Sequence, residues 1–168
     1  TVDIDMHADR FRFEGDLTVE HWDNIQPRKG PNPAGHSMVD GPTKATDLDR
    51  TEDNRELVES FVDKVLINAQ LDRIEDYIDA NRFTDHNPRS SGGLSMLRAA
   101  FTQPAFGDGV FIAYDRMHRI LADGDFVLTV SEGAADGVHT SFFDLFRVAQ
   151  GKLVEHWDTT EPVPPRPG

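Results

Sequence analysis

Apolar positions change their spacing once along this chain. Leu57, Val58, Phe61, Val62, Val65 and Leu66 recur every three or four residues. That spacing predicts an amphipathic helix over about 52–68, with Thr51 as its N-cap and Glu52 and Asp53 in the first turn, where the helix dipole favours acids. Leu71, Ile74, Tyr77 and Ile78 mark a shorter helix over 71–80, and Leu94, Leu97, Ala100 and Phe101 a third that stops at Pro104. Beyond it the period falls to two. Strands are expected over 111–121, 126–134, 138–148 and 152–159, joined by the glycine-containing turns 122–125, 135–137 and 149–151. Helices followed by an antiparallel meander predict an α+β domain with the helices on one sheet face. Residues 82–92 read as an irregular or briefly extended stretch.

Ahead of this unit, Phe11-Arg12-Phe13 and Leu17-Thr18-Val19 flank Glu14-Gly15-Asp16, which reads as a short hairpin within 1–27. Residues 28–50 are rich in Pro, Gly and Asp without periodicity and read as a linker or long surface loop. The complete domain spans 51–162. The tail, 163–168, holds three prolines and is expected to fray.

The hairpin has a second feature. DRFRFEGDLTVEHWDNIQP (9–27) and DLFRVAQGKLVEHWDTTEP (144–162) align without gaps, 135 positions apart, with nine of nineteen residues identical. Both tryptophans of the chain lie in the shared VEHWD. The chain therefore opens with what reads as the last hairpin of a preceding copy of the domain.

Composition narrows the chemistry. Seventeen Lys and Arg against thirty Asp and Glu give a formal charge of −13, which repels phosphate backbones and argues against nucleic-acid partners. No apolar run approaches the roughly 20 residues a membrane span requires. No cysteine is present, which removes disulfides, thiolate nucleophiles and cysteine-ligated metals and points to the cytoplasm. No GxGxxG or phosphate loop follows a strand, and Ser131 and Ser141 lie in no nucleophile elbow. His86, His118, His139, His156, Asp144 and Asp158 offer N and O ligands but no HxH or HExxH spacing, so no metal and no cofactor are expected.

What remains is carboxylate chemistry. Alternation puts His156 and Asp158 on one face of the last strand, and Phe142, Asp144 and Phe146 on one face of the strand before. If these faces coincide, two carboxylates and an imidazole share an aromatic-lined hollow. Burial and a second carboxylate raise a carboxyl's pKa toward the range useful for moving protons beside a carbonyl. Asp158, Asp144 and His156 are the candidate catalytic residues. His86, Asn87, Tyr77, Phe142 and Phe146 are the candidate substrate contacts. His118 and His139 are expected to be structural, and Trp157 to serve packing or a dimer interface.

Residues 51–162 also resemble the SnoaL-like polyketide cyclase group of the nuclear-transport-factor-2-like superfamily. The resemblance rests on Glu75-Asp76-Tyr77-Ile78, Asp85-His86-Asn87-Pro88, His118–Asp125, Phe143–Val148, Gly151-Lys152 and Val154–Asp158. It implies a cone-shaped α+β barrel: three helices over a strongly curved antiparallel sheet, an apolar pocket, and a homodimer through the sheet's outer face. It also implies a cofactor-independent lyase or isomerase acting on a small apolar carbonyl compound, with Asp158 at the acid/base position of the last strand. Those cyclases place a His on the preceding strand; Asp144 stands there in this sequence. The alternative function is a non-catalytic ligand-binding or dimerisation module of the same fold.

Overall fold

The computed structural model describes residues 5–102 and 111–165. Two strands, β1 (Asp5–Glu14) and β2 (Leu17–Pro27), form a separate antiparallel ribbon. The domain proper contains α1 (Thr51–Phe61), α2 (Ile74–Tyr77), β3 (Thr84–Asp85), α3 (Leu94–Thr102), β4 (Ile112–Asp123), β5 (Phe126–Ala135), β6 (Val138–Ala149) and β7 (Lys152–Pro162). The five-stranded sheet has the order β3-β7-β6-β5-β4. The last four strands form the expected antiparallel meander. The sheet is nevertheless mixed, because the two-residue β3 runs parallel to β7, with Asp85 beside His156. Pro104, expected to end the third helix, and the loop around it lie outside the described residues, as do 1–4 and 166–168.

The first helix departs from its expected start and end. Thr51 is its first residue rather than its cap: the Thr51 hydroxyl donates to the Leu48 carbonyl and accepts the Gly124 amide. After Phe61 the helix widens into a π-helical stretch, Val62–Ile67, which keeps Val62, Val65 and Leu66 buried. The second helix is shorter than its apolar spacing implies. A 3₁₀ turn (Leu71–Arg73) leads into the single turn of α2, and Ile78 is already extended, bridging to Leu153 on β7. Tertiary pairing with a sheet edge has overridden helical period there.

The hairpin turns follow their glycines. Asp136 and Gly137 have φ of +50° and +79°, the left-handed pair that a two-residue turn between twisted strands requires. Gly124 (φ +59°) is also hemmed in: a Cβ there would lie 2.0 Å from the Thr46 carbonyl oxygen.

The helices cover one end of the sheet's inner face. Val58, Phe61, Val62, Val65, Leu66, Ile74, Tyr77 and Ile78 form a core with Val127, Phe146, Val148 and Leu153. Burying each such side chain contributes about 1.5–3 kcal/mol, so this end of the sheet is the rigid base on which the other end is held. Residues 28–45 are a long irregular segment laid on the outer face. Met38 is buried in it, and the Asp40 carbonyl accepts a bond from the Trp157 indole. Trp157 therefore packs within its own chain. Among the described residues no helix is long and apolar enough to cross a membrane.

Candidate active site

Cross-strand register stacks the inner face of β5, β6 and β7 in rows. The lowest row is Val127, Phe146 and His156; the next is Thr129, Asp144 and Asp158; the one above is Ser131, Phe142 and Thr160. The bottom row belongs to the core, where Phe61 meets Phe146 edge-on and the His156 ring stacks on Phe146 at 4.9 Å. His156 is the polar member of that row, and the row above it carries the acids. Asp144 and Asp158 are thus direct neighbours on adjacent strands, on the same face.

Two further residues complete the cluster. Asp85 on β3 lies beside His156 on the β7 edge, and its Oδ1 is 3.1 Å from His156 Nδ1. The other ring nitrogen, Nε2, is 2.9 Å from Asp144 Oδ1. His156 is therefore clamped between two carboxylates. Tyr114 reaches in from β4, its ring stacked on Phe142 at 4.4 Å, and its hydroxyl donates to both Asp144 oxygens, at 3.1 and 3.0 Å. Close approach of β4 at that level depends on Gly133, where a Cβ would sit 2.0 Å from the Ala113 carbonyl oxygen.

Asp158 is held differently. Asn87 Nδ2 donates to its Oδ2 at 2.7 Å, while Oδ1 is shielded from solvent and has no hydrogen-bond partner. Asn87 itself is fixed by a turn: its amide donates to Asp85 Oδ1, and Asn32 Nδ2 donates to the carbonyls of Asp85 and Asn87. Thr129 Oγ1 and Ser131 Oγ, on the same inner face, are likewise buried without partners.

These contacts set the protonation pattern. Burial pushes the Asp158 carboxyl up from 3.8 to about 6; the positive charge of His156 opposes this, and Asp144 and Asp85 reinforce it. Burial lowers the His156 pKa, but hydrogen bonds and charge from Asp144 and Asp85 prevail and hold it well above its ordinary value. Asp85 shows the reciprocal effect: burial raises it, yet the bond and charge of His156 keep it below the usual carboxylate range. Tyr114 is pushed well above 10 by burial and then by Asp144. At neutral pH an imidazolium thus sits beneath a carboxyl that titrates near neutrality.

Not every expected residue arrives here. His86 is on the opposite side of the sheet. On the extended segment 85–87 alternate residues face opposite ways, so Asp85 and Asn87 turn inward and His86 outward. Its ring stacks on Trp157 at 4.6 Å, its Nε2 is 2.9 Å from Glu155 Oε1, and Arg147 clamps the other Glu155 oxygen at 2.7 Å. Arg147 accordingly serves this outer network and leaves Asp144 to Tyr114 and His156. Tyr77 belongs to the core, its hydroxyl 2.8 Å from Ser60 Oγ on α1. Phe142 and Phe146 line the inner face as expected. His118 and His139 both face Glu132, at 3.4 and 3.3 Å. Of the ligand set considered for a metal, Asp144, His156 and Asp158 meet in the site, whereas His86, His118 and His139 lie elsewhere. Among the described residues His36, Asp40 and His86 are the group of three whose ligand atoms all lie within 4.8 Å of one another, and they lie on the outer face.

Sequence reasoning missed Asp85 and Tyr114. The alternation that selects Asn87 also selects Asp85, but a two-residue strand leaves no periodic pattern to read. Tyr114 is obscured by register shifts in β4 between Tyr114 and Arg116 and between Met117 and Arg119, which reset the alternation.

No protein-family profile and no curated protein sequence matches the chain. Solved structures do match its fold. A candidate ketosteroid isomerase from Kribbella flavida DSM 17836 superimposes with a TM-score of 0.55 and 19% identity, covering 71% of this chain and 86% of that one. An NTF2-like protein of unknown function from Mesorhizobium loti gives 0.52 and 19%, covering 72% and 97%. A SnoaL-like polyketide cyclase from Agrobacterium tumefaciens str. C58 gives 0.50 and 14%, covering 64% and 91%. With helices against a mixed sheet and these neighbours, the chain has the α+β fold of the SnoaL-like and NTF2-like proteins.

Proposed function

We propose that this protein is a cofactor-independent acid–base enzyme, a lyase or isomerase, whose substrate is a small, largely apolar carbonyl compound. The observation that carries the reading is Asp158: one oxygen is fixed by Asn87, the other is buried and unpartnered, and the carboxyl titrates near 6. A base of that strength is mostly ionised at pH 7 yet returns its proton readily. Asp158 Oδ1 takes a proton from the carbon beside the carbonyl. The C–H electron pair becomes the enolate double bond, and the carbonyl oxygen becomes the oxyanion. The unpartnered hydroxyls of Thr129 and Ser131, on the same face, would donate to that oxygen. Asp158 then returns the proton, either to a carbon further along the conjugated system (isomerisation) or to the alkoxide formed when the enolate carbon attacks a second carbonyl in the same molecule (cyclisation).

His156, Asp85, Asp144 and Tyr114 do not touch the reacting carbon in this scheme. They form a closed set of hydrogen bonds that fixes the floor of the site and holds one positive charge below the developing anion. Phe142 and Tyr114 supply the apolar wall. The homodimer implied by the resemblance would use the β4–β5 half of the outer face, since the chain's own residues cover the region around Trp157.

The alternative, a binding module without turnover, draws on that same saturation: Asp85, His156, Asp144 and Tyr114 already satisfy one another. Proton exchange separates the two. A panel of apolar ketones, including β,γ-unsaturated ones, incubated with the protein in D₂O and followed by proton NMR should lose α-hydrogen signal faster than in buffer. Asp158→Asn should slow that exchange by about 10²–10⁴-fold. Exchange at the buffer rate across the panel, with binding retained, overturns the enzymatic reading.

A further inference from the structure

The ribbon β1–β2 reproduces the hairpin β6–β7 far beyond sequence. Every cross-strand pair of one maps onto a pair of the other at the same 135-residue offset, from Asp5↔Pro27 and Thr140↔Pro162 to Glu14↔Leu17 and Ala149↔Lys152. The register shift falls at the same place, between Arg12 and Phe13 and between Arg147 and Val148. Side-chain contacts recur as well. His21 Nε2 is 3.0 Å from Asp9 Oδ1, as His156 Nε2 is 2.9 Å from Asp144 Oδ1. His21 stacks on Phe11 at 4.5 Å, as His156 stacks on Phe146 at 4.9 Å. Arg12 Nε donates to Glu20 as Arg147 Nε donates to Glu155.

The surroundings differ completely. Phe146, Val148 and Leu153 are buried under the helices, at 3%, 2% and 0% exposure, whereas Phe11 and Phe13, the counterparts of the first two, are 50% and 61% exposed. The opposite face of the ribbon is anchored at its base. Asn24, counterpart of the outward-facing Thr159, is buried against β6, donating to Ser141 Oγ at 3.0 Å, and Gln26 Oε1 accepts the Thr160 amide. Two sheets thus meet back to back at that base, and the half-site of the ribbon looks away from the barrel. A two-stranded ribbon with an apolar face in water is marginal, and its open β1 edge is a template for another strand.

We infer that the face of the ribbon carrying Phe11 and Phe13 is the docking surface for the helices and first three strands of a second barrel of this same kind, a segment equivalent to residues 51–135. The second barrel's β5 counterpart pairs with the free edge of β1. Its helices cover Phe11 and Phe13. Asp9, His21 and Asp23 then occupy the places that Asp144, His156 and Asp158 hold in the first barrel, and a second site is completed. The occupant is specified by the ribbon itself: its register, its shift and its inward row are those that β6–β7 presents to β5 and α1. The inference uses only the geometry of the first site and stands whether or not that site turns over a substrate.

The test joins a second copy of residues 46–143 directly to Asp9 in the full chain, the junction that the offset dictates. Hydrogen exchange is then compared with that of the chain as it stands. The β1 amides directed away from β2 should slow by roughly 100-fold or more, toward the values of β6. Phe11→Asp with Phe13→Asp in the longer chain should abolish that protection. In the chain as it stands the same two substitutions should leave the melting temperature of the barrel unchanged. Unslowed β1 amides in the longer chain overturn the inference, whether the added segment is folded or not. So does self-association of the original chain that Phe11→Asp abolishes, since the face would then serve a second ribbon. A fall in barrel stability from the double substitution overturns it too.

Discussion

Replacing Asp158 by Asn tests the electrostatics of the site without any knowledge of the substrate. The amide is nearly isosteric, and its oxygen can still accept the bond from Asn87 Nδ2. What disappears is a carboxyl whose pKa stands at about 6 in the folded chain against 3.8 unfolded. At 1.36 kcal/mol per pH unit, ionising Asp158 is about 3 kcal/mol harder in the fold than out of it. The sign follows from proton counting. Between the two values the folded chain holds a proton that the unfolded chain has released, so stability falls as pH rises through that window. Below pH 4 the group is protonated in both states, and the variant and parent differ only by packing. From there to pH 7 the parent loses up to about 3 kcal/mol that the variant keeps. For a chain of this size that is roughly 6–12 °C in melting temperature. Thermal unfolding of both proteins at half-unit steps from pH 4 to 8 gives the difference curve directly. It should rise in favour of Asp158→Asn with a midpoint between 4 and 6, then level off. A flat curve, or one that falls, would refute the claim that burial, Asp144 and Asp85 outweigh His156 and Asn87 at the Asp158 carboxyl.

Two further outcomes probe the rest of the arrangement. At pH 7, ¹⁵N NMR should find both ring nitrogens of His156 protonated. Since the folded pKa is raised, the stabilisation His156 provides is complete below about 6.5 and is lost as pH climbs through the folded value, so the deficit of His156→Gln in urea unfolding should shrink in alkali; a ring found singly protonated at pH 7 contradicts the clamp. His86→Ala should cost about 2–4 kcal/mol in urea unfolding, because a buried ring bonded to Glu155 and stacked on Trp157 is removed. The folded variant should keep the parent's kcat/KM, and a specific loss of turnover would return His86 to the site.

The fold was legible because each of its signals is local. Val58, Phe61, Val62 and Val65 need only a helical period to be placed on one face, and the glycine turns after β4, β5 and β6 need only their own φ angles. Alternation along long strands puts Phe142, Asp144, Phe146, His156 and Asp158 on one face, and the sheet register keeps them there. The same logic failed wherever a strand is too short or bulged to carry a period. Sequence alone offers both His86 and Asn87 to the site, yet neighbours on an extended segment point apart, and only the pairing of β3 with β7 decides which one turns inward. Tyr114 lies among the register shifts of β4. Tyr77 sits on the expected apolar face, but where its hydroxyl goes depends on Ser60, seventeen residues away on another helix.

The residue pattern by itself determined the α+β class, the order of helices and strands, the duplicated hairpin and the inward row of two acids and an imidazole, because periodicity and repetition are properties of the chain alone. Tertiary structure decided which further groups meet that row, which Asp158 oxygen stays unpaired, and which way the extra ribbon faces. Those depend on distances between segments far apart in sequence, and the pKa of a carboxyl is set by whatever charges and apolar walls the fold brings within a few ångströms of it.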